Sequence, residues 1–169
     1  MLQDHVDRYA RQISYPSFGA ESQQRLSTSR VFICGCGALG TTLANHLVRA
    51  GVGFVRIVDR DLVDEVNLHR QILFEESDAA QSLPKAVAAA ERLRRINSQV
   101  LVESIVADVR ANNIQQFASD VDLILDGCDN FETRFLLNEF SLKYNIPWIS
   151  AACLGTQGQV LAIIPGRTP

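Results

Sequence analysis

The chain has 169 residues, 47% of them hydrophobic and 21% charged, with a formal net charge of −3. This length suffices for one domain with a buried core, and the average composition excludes collagen-like, coiled-coil and disordered classes. The mild acidic excess argues against nucleic acid as a partner, and the apolar runs are too short to cross a membrane. Residues 1–5 lack the basic and apolar stretches of a secretion signal, so we expect a cytoplasmic protein.

Strand-like apolar runs alternate with helix-like segments along the chain. The predicted strands are 31–34, 54–58, 100–106, 121–126, 147–151 and 159–164, and the predicted helices are 41–50, 85–96 and 131–144. This alternation predicts a Rossmann-like, doubly wound α/β fold with a mostly parallel sheet. The last strand follows its predecessor too closely for a helical crossover, so we expect an antiparallel extension at the C-terminal end.

The connection between the second strand and helix 85–96 covers residues 59–84. It is much longer than is usual between a strand and a helix, and long connections tend to carry function. It also contains side chains suited to binding phosphate or metal: Asp59, Asp61, Asn67, Arg70 and Gln71.

Three glycines form a G-x-G-x-x-G motif between the first strand and the following helix. In this context Gly35, Gly37 and Gly40 allow a tight turn, close approach of a phosphate to the backbone, and close helix–strand packing. The helix N-terminus then offers free N–H groups to the anion. Asp59 ends the second strand, where an acidic side chain can bind a ribose hydroxyl. We therefore predict nucleotide binding, with a purely structural turn as the alternative.

Further polar groups favour a triphosphate over a dinucleotide. Asn67 and Arg70 place an amide and a guanidinium three residues apart, Lys85 begins the next helix, and Asp129 follows the fourth strand. Arg and Lys can stabilise charge on a leaving pyrophosphate, while a carboxylate holds Mg²⁺. The alternative makes Arg70 and Lys85 surface ion-pair residues and Asp129 a helix N-cap.

An ordered set of motifs resembles the ThiF/MoeB/HesA family, the bacterial relatives of ubiquitin-activating enzymes. The matching segments are 8–12, 35–40, 50–53, 59–61, 67–74, 84–85, 95–97 and 126–130, together with Arg134. Members of this family use ATP and Mg²⁺ to adenylate the C-terminal Gly-Gly carboxylate of a small ubiquitin-like protein, usually a sulfur carrier, and release pyrophosphate. The resemblance therefore implies an adenylyltransferase.

The resemblance also implies roles for individual residues. Asp59 would hold the ribose, Asp129 would bind Mg²⁺, and Arg11 would reach into the partner subunit's site, which makes a homodimer the functional unit. The implied catalytic residues are Arg11, Arg70, Lys85 and Asp129. The implied nucleotide-binding residues are Gly35, Gly37, Gly40, Asp59, Asp61, Asn67, Arg70, Gln71 and Lys85.

Domain boundaries and cysteines complete the sequence predictions. We expect an N-terminal helical arm at 1–29 and a nucleotide-binding domain at 30–169, the latter as the N-terminal part of a longer chain. Family members commonly carry zinc-binding C-x-x-C pairs further along, and none occurs here, so a zinc site is compatible only with a further C-terminal part. We expect core packing for the four cysteines, Cys34, Cys36, Cys128 and Cys153.

Three other functions stay open from the sequence. The first is adenylation of another carboxylate, on a modified tRNA base or a peptide. The second is an inactive nucleotide-binding partner subunit. The third, an NAD-dependent oxidoreductase, would have no use for Arg70, Lys85 and Asp129. Segment 70–74 resembles the thiamine branch of the family, and the molybdopterin branch stays open.

Overall fold

A computed structural model describes residues 8–168, and their strands form one six-stranded sheet in the order β3-β2-β1-β4-β5-β6. The strands are β1 (Arg30–Cys34), β2 (Phe54–Val58), β3 (Leu101–Ile105), β4 (Leu123–Asp126), β5 (Trp148–Leu154) and β6 (Gln157–Ile163). Neighbouring strands from β3 through β5 run parallel, whereas β5 and β6 are antiparallel. The predicted fold, including its antiparallel extension, is confirmed.

Seven helices accompany the sheet in the described part of the chain. They are α1 (Ala10–Ile13), α2 (Gly19–Thr28), α3 (Ala38–Ala50), α4 (Glu76–Ala80), α5 (Lys85–Ile96), α6 (Ile114–Ala118) and α7 (Phe131–Tyr144), with a 3₁₀ turn at Glu65–Asn67. None of them is long and apolar enough to cross a membrane. The first seven residues of the predicted N-terminal arm lie outside the described residues.

The sheet separates two buried clusters because successive side chains of a strand point to opposite faces. Val31 and Ile33 of β1 pack into the cluster that contains Leu93 of α5. Phe32, between them, joins Leu137 of α7 in the other cluster. Helices therefore cover both faces of the sheet, and a ligand can approach it at the ends of the strands.

Helix α1 is anchored to the end of α3 that lies away from the glycine motif. Helix α3 ends at Gly51, whose φ of 87° is the left-handed conformation typical of a helix C-cap. A side chain at Gly51 would overlap the ring of Tyr9, which is buried. The Tyr9 hydroxyl also accepts a 2.8 Å hydrogen bond from Asn97 at the end of α5.

The long connection from 59 to 84 is an ordered excursion whose two ends meet. The Val63 N–H donates to the Leu83 carbonyl at 2.8 Å, and the Lys85 N–H donates to the Asp61 carbonyl at 2.9 Å. Between these contacts lie the 3₁₀ turn and α4. The excursion therefore returns Lys85, the first residue of α5, to the carboxyl end of β2.

Candidate nucleotide site

Two of the motif glycines are required by the packing of the protein itself. Gly35 has a φ of 91°, and a side chain there would come within 2.9 Å of the Gly127 carbonyl oxygen. A side chain at Gly40 would overlap the carbonyl oxygen of Gly35. The loops that follow β1 and β4 are therefore in backbone contact at these positions.

Gly37 is different because no residue of 8–168 occupies the space where its side chain would be. An added Cβ would meet only the Gln71 amide nitrogen, at 3.9 Å. Gly37 is also the N-cap of α3, and no side chain caps this helix. The free N–H groups of the first turn are suited to an anion, and the open space at Gly37 lets a phosphate approach the backbone.

The Asp59 carboxylate fastens the glycine loop to the long connection. One oxygen accepts the Cys36 N–H at 2.6 Å, and the other accepts the Asp61 N–H at 2.7 Å. Burial raises the pKa of Asp59, and the two N–H donors oppose this rise. Asp59 lies at the site, as predicted, and has a structural task there that the sequence did not indicate.

Lys85 lies in the site as a buried cation. Its side chain is only 8% exposed, and the ammonium contacts the Asp61 carboxylate at 3.1 Å. The interpretation of Lys85 as a surface residue is therefore wrong. Its ion pair forms because the excursion brings Asp61 beside the start of α5.

Gln71 lies beside the glycine loop, and Asn67 and Arg70 precede it on the same turn of the chain. The Arg70 guanidinium donates to the Asn67 side-chain oxygen at 2.6 Å, so the amide and the cation adjoin as the spacing predicted. Gln71 is buried, and its side-chain oxygen has no hydrogen-bond partner in the described structure. The Gln71 side-chain nitrogen is the atom nearest to the open space at Gly37, and an amide N–H there can donate to an anionic ligand.

Asp129 is exposed and lies two residues after Gly127, which packs on Gly40. The N-cap of α7 is Asn130, whose side chain accepts the Thr133 N–H at 2.9 Å. The alternative role of Asp129 as that N-cap is therefore wrong.

Metal donors are sparse in the site. The described residues contain no group of three or more His, Cys, Asp or Glu that could hold a metal ion. A single carboxylate such as Asp129 nevertheless fits Mg²⁺ bound together with nucleotide phosphates, since Mg²⁺ commonly uses one or two carboxylates and keeps several waters.

Arg11 is the one predicted site residue that the structure leaves apart from the others. It is exposed on α1, and its neighbour Gln12 donates to the Ala50 carbonyl at the last residue of α3 at 3.1 Å. Helix α3 has 13 residues, which corresponds to a length of about 20 Å. Arg11 therefore lies at the opposite end of this helix from the glycine loop.

Three of the four cysteines lie beside the site and one does not. Cys34 and Cys36 are buried, Cys128 is half-buried, and the thiols of Cys34 and Cys128 are 3.3 Å apart. Burial raises the pKa of Cys36. Cys153 is exposed in the β5–β6 hairpin, so the prediction of core packing is wrong for this residue.

A buried ion pair next to the site was not predicted as functional. Asp126, the last residue of β4, is fully buried, and one of its oxygens accepts from Arg134 at 2.8 Å and from Ser150 at 2.7 Å. Its other oxygen accepts the Cys128 N–H at 2.8 Å. The available signal was an acidic residue that closes an apolar strand and an arginine eight positions later, both inside a matched motif.

Comparisons with known proteins agree with this architecture. The ThiF family profile matches residues 9–169. The chain is 47% identical, over 96% of its length, to the sulfur carrier protein ThiS adenylyltransferase of Bacillus subtilis, and covers 48% of that protein. It is 38% identical, over 93% of its length, to a sulfur carrier protein adenylyltransferase of Thermus thermophilus, and covers 57% of it. The chain thus spans about half the length of these curated relatives.

A solved structure is also similar. The crystal structure of E. coli MccB with ATP superposes with a TM-score of 0.85 at 26% identity, covering 95% of this chain and 49% of that one.

Proposed function

Because this chain belongs to the ThiF family, we propose that it carries the nucleotide site of an ATP-dependent adenylyltransferase. Its substrate would be the C-terminal Gly-Gly carboxylate of a small ubiquitin-like sulfur carrier. The names of the Bacillus subtilis and Thermus thermophilus relatives support this substrate class, and the 47% identity to the former favours a carrier of the ThiS type, which belongs to the thiamine branch. The ATP in the MccB crystal supports the nucleotide.

One observation carries the proposal. Among the described residues the space at Gly37 is open, and it is bordered by the uncapped N-terminus of α3 and by the side-chain amide nitrogen of Gln71. The Lys85 ammonium lies beside the same loop, and Arg70 precedes Gln71. Backbone N–H groups and a buried cation beside one open space suit an anionic ligand of several phosphates.

The geometry supports a simple displacement at phosphorus. A carboxylate oxygen of the carrier forms a bond to the α-phosphorus of ATP, and the bond from that phosphorus to the β-phosphate bridging oxygen breaks, so that pyrophosphate leaves. No protein base is needed because the carboxylate is already ionised at neutral pH. Catalysis then consists of positioning and of neutralising charge on the leaving pyrophosphate, for which Lys85 and Arg70 are the suitable cations.

Two further groups extend this proposal. Asp129 would hold Mg²⁺, which supplies charge neutralisation to the phosphates when it is bound. Arg11 would act in the partner subunit of a homodimer, since its place beyond the far end of α3 keeps it from its own glycine loop. We also propose a cytoplasmic location, the function of residues 1–29 as an arm that carries Arg11, and 30–169 as the nucleotide-binding domain.

The test is carrier-dependent exchange of pyrophosphate into ATP by the full-length protein. A ubiquitin-like carrier ending in Gly-Gly should stimulate exchange, and the same carrier without its last glycine should not. Asp129→Ala should abolish exchange, and near-normal exchange would disprove the assignment. A melting shift with NAD and none with ATP would instead favour the oxidoreductase.

A further inference from the structure

Arg134 of α7 is a matched-motif residue that the proposed reaction does not yet use. Its Nε donates to Asp126 at 2.8 Å, and one of its terminal nitrogens donates to the Cys128 carbonyl at 2.9 Å and to the Ala151 carbonyl at 3.3 Å. The side chain is 18% exposed, and that of Asp126 is 0% exposed. The pair therefore ties the loop after β4 to both α7 and β5.

This ion pair holds both backbone polar groups of Cys128. Asp126 accepts the Cys128 N–H, and Arg134 donates to the Cys128 carbonyl. That carbonyl belongs to the peptide bond whose nitrogen is the backbone nitrogen of Asp129. The orientation of the peptide plane entering Asp129 is thus set by two oppositely charged side chains, of which Asp126 is buried and Arg134 half-buried.

The Asp129 carboxylate has no such support of its own, since no described residue forms a hydrogen bond with it, and the side chain is exposed. Its direction therefore depends on the backbone that carries it. Charge-assisted hydrogen bonds are the strong ones, and groups that orient a metal ligand are known to affect metal affinity.

We propose that Arg134 is a positioning residue, which with Asp126 fixes the backbone at Cys128 so that the Asp129 carboxylate faces the metal ion of the nucleotide complex. This inference rests on the proposed function, because it requires Asp129 to be the metal ligand. A purely structural Arg134 would affect folding and leave metal affinity unchanged.

The test measures Mn²⁺ binding by the full-length protein in the presence of the unreactive analogue α,β-methylene-ATP. Binding is detected as a decrease in the electron paramagnetic resonance signal of free Mn²⁺. Arg134→Lys keeps a cation beside the buried Asp126, and a single ammonium cannot reproduce the planar guanidinium's bonds to Asp126 and Cys128 together. We expect Mn²⁺ affinity to fall roughly 10-fold to 100-fold, the range typical of lost support to a metal ligand.

A matched control is available on β2, which lies on the other side of β1 from β4. Arg56 of β2 is also buried, and its guanidinium donates to the side chain of Glu103 at 2.7 Å and to that of Asp120. It donates as well to the Phe117 carbonyl at 2.6 Å. Arg56→Lys should therefore lower thermal stability as Arg134→Lys does, with unchanged Mn²⁺ affinity.

A second variant guards against misfolding. Leaving Asp126 buried without its partner would strongly destabilise the fold, so a neutral pair, Asp126→Asn with Arg134→Gln, removes both charges at once. This double variant should also bind Mn²⁺ at least 10-fold more weakly at a temperature well below its melting midpoint.

The outcomes separate the two proposals. If Asp129→Asn leaves Mn²⁺ affinity unchanged, the metal assignment fails, and the inference about Arg134 fails with it. If Asp129→Asn weakens binding and Arg134→Lys does not, or if Arg56→Lys weakens binding equally, only the positioning role is overturned.

Discussion

Replacing Gly37 by alanine is expected to weaken ATP binding and leave the fold intact. The backbone at Gly37, with φ of −84° and ψ of −150°, is accessible to alanine, and the added methyl group would meet only the Gln71 nitrogen at 3.9 Å, an ordinary contact. The substitution therefore changes the space offered to a phosphate and little else. Gly40→Ala is the matched comparison, because its methyl group would overlap the Gly35 carbonyl oxygen.

Gly37→Ala and Gly40→Ala should differ in their effect on the free energy of unfolding. At Gly37, the lower entropy of the unfolded chain gains about 0.4–1 kcal/mol, and alanine is a poorer N-cap than glycine by a similar amount. The melting midpoint should therefore move by less than about 4 °C. At Gly40, overpacking against backbone costs about 1–3 kcal/mol or more, and each kcal/mol lowers the midpoint by about 2–4 °C in a chain of this size.

Gly37→Ala should affect ATP binding much more than it affects the stability of the fold. A hydrogen bond to a charged phosphate contributes about 1.5–3 kcal/mol, so displacing the phosphate from one N–H group weakens ATP binding roughly 10-fold to 100-fold. In thermal melts with ATP at 100 times the wild-type Kd, the wild-type protein should gain about 2.7 kcal/mol. Gly37→Ala should keep only about 0.4–1.4 kcal/mol of this gain. A full ATP shift in Gly37→Ala, or an apo midpoint as low as that of Gly40→Ala, would refute the reasoning.

Three further predictions follow from the same structure. Lys85→Met keeps the side-chain volume and should reduce pyrophosphate exchange about 100-fold or more with little change in melting midpoint; an unchanged exchange rate would contradict its role. A hydrogen bond from Arg56 lowers the pKa of Asp120 to about 2, so Asp120→Asn should destabilise the protein at pH 7, and urea titrations should show this difference shrinking as the pH falls from about 4 toward about 2. Iodoacetamide should label exposed Cys153 well before Cys36, whose burial raises its pKa, and equal labelling in peptide mass mapping would contradict the burial of Cys36.

The long, regular elements could be predicted from the sequence because each carries a clear pattern. Most of the strands contain a short apolar run, β3 mixes apolar and polar residues, and the helices α3, α5 and α7 each have 12 or more residues. Helices α4 and α6 have five residues each, which is too short for a helical period to show. Their hydrogen bonds form because neighbouring segments hold the chain in place.

Some site residues could likewise be predicted from local motifs, whereas the surroundings of others depend on contacts between distant parts of the chain. The glycine motif and Asp59 are local signals, and the structure places them together. The burial of Lys85 depends on an antiparallel contact between Leu62 and Pro84, which joins positions far apart in the excursion. The pairing of Asp126 with Arg134 depends on the position of β4 between β1 and β5, where Asp126 is buried. Contacts of this kind follow from three-dimensional packing, and a single sequence gives no direct sign of them.

Strand order explains why these residues meet and Arg11 does not. Strand β1 lies between β2 and β4, so the loops that leave the carboxyl ends of all three strands open on one edge of the sheet. The crossover through α3 lies against one face and that through α7 against the other, which leaves a crevice at this switch point, where ligands bind in doubly wound folds. The glycine loop, Asp59 and Asp129 each follow one of these strands directly. Arg11 precedes the first strand and lies where α3 ends, which keeps it away from the crevice of its own chain.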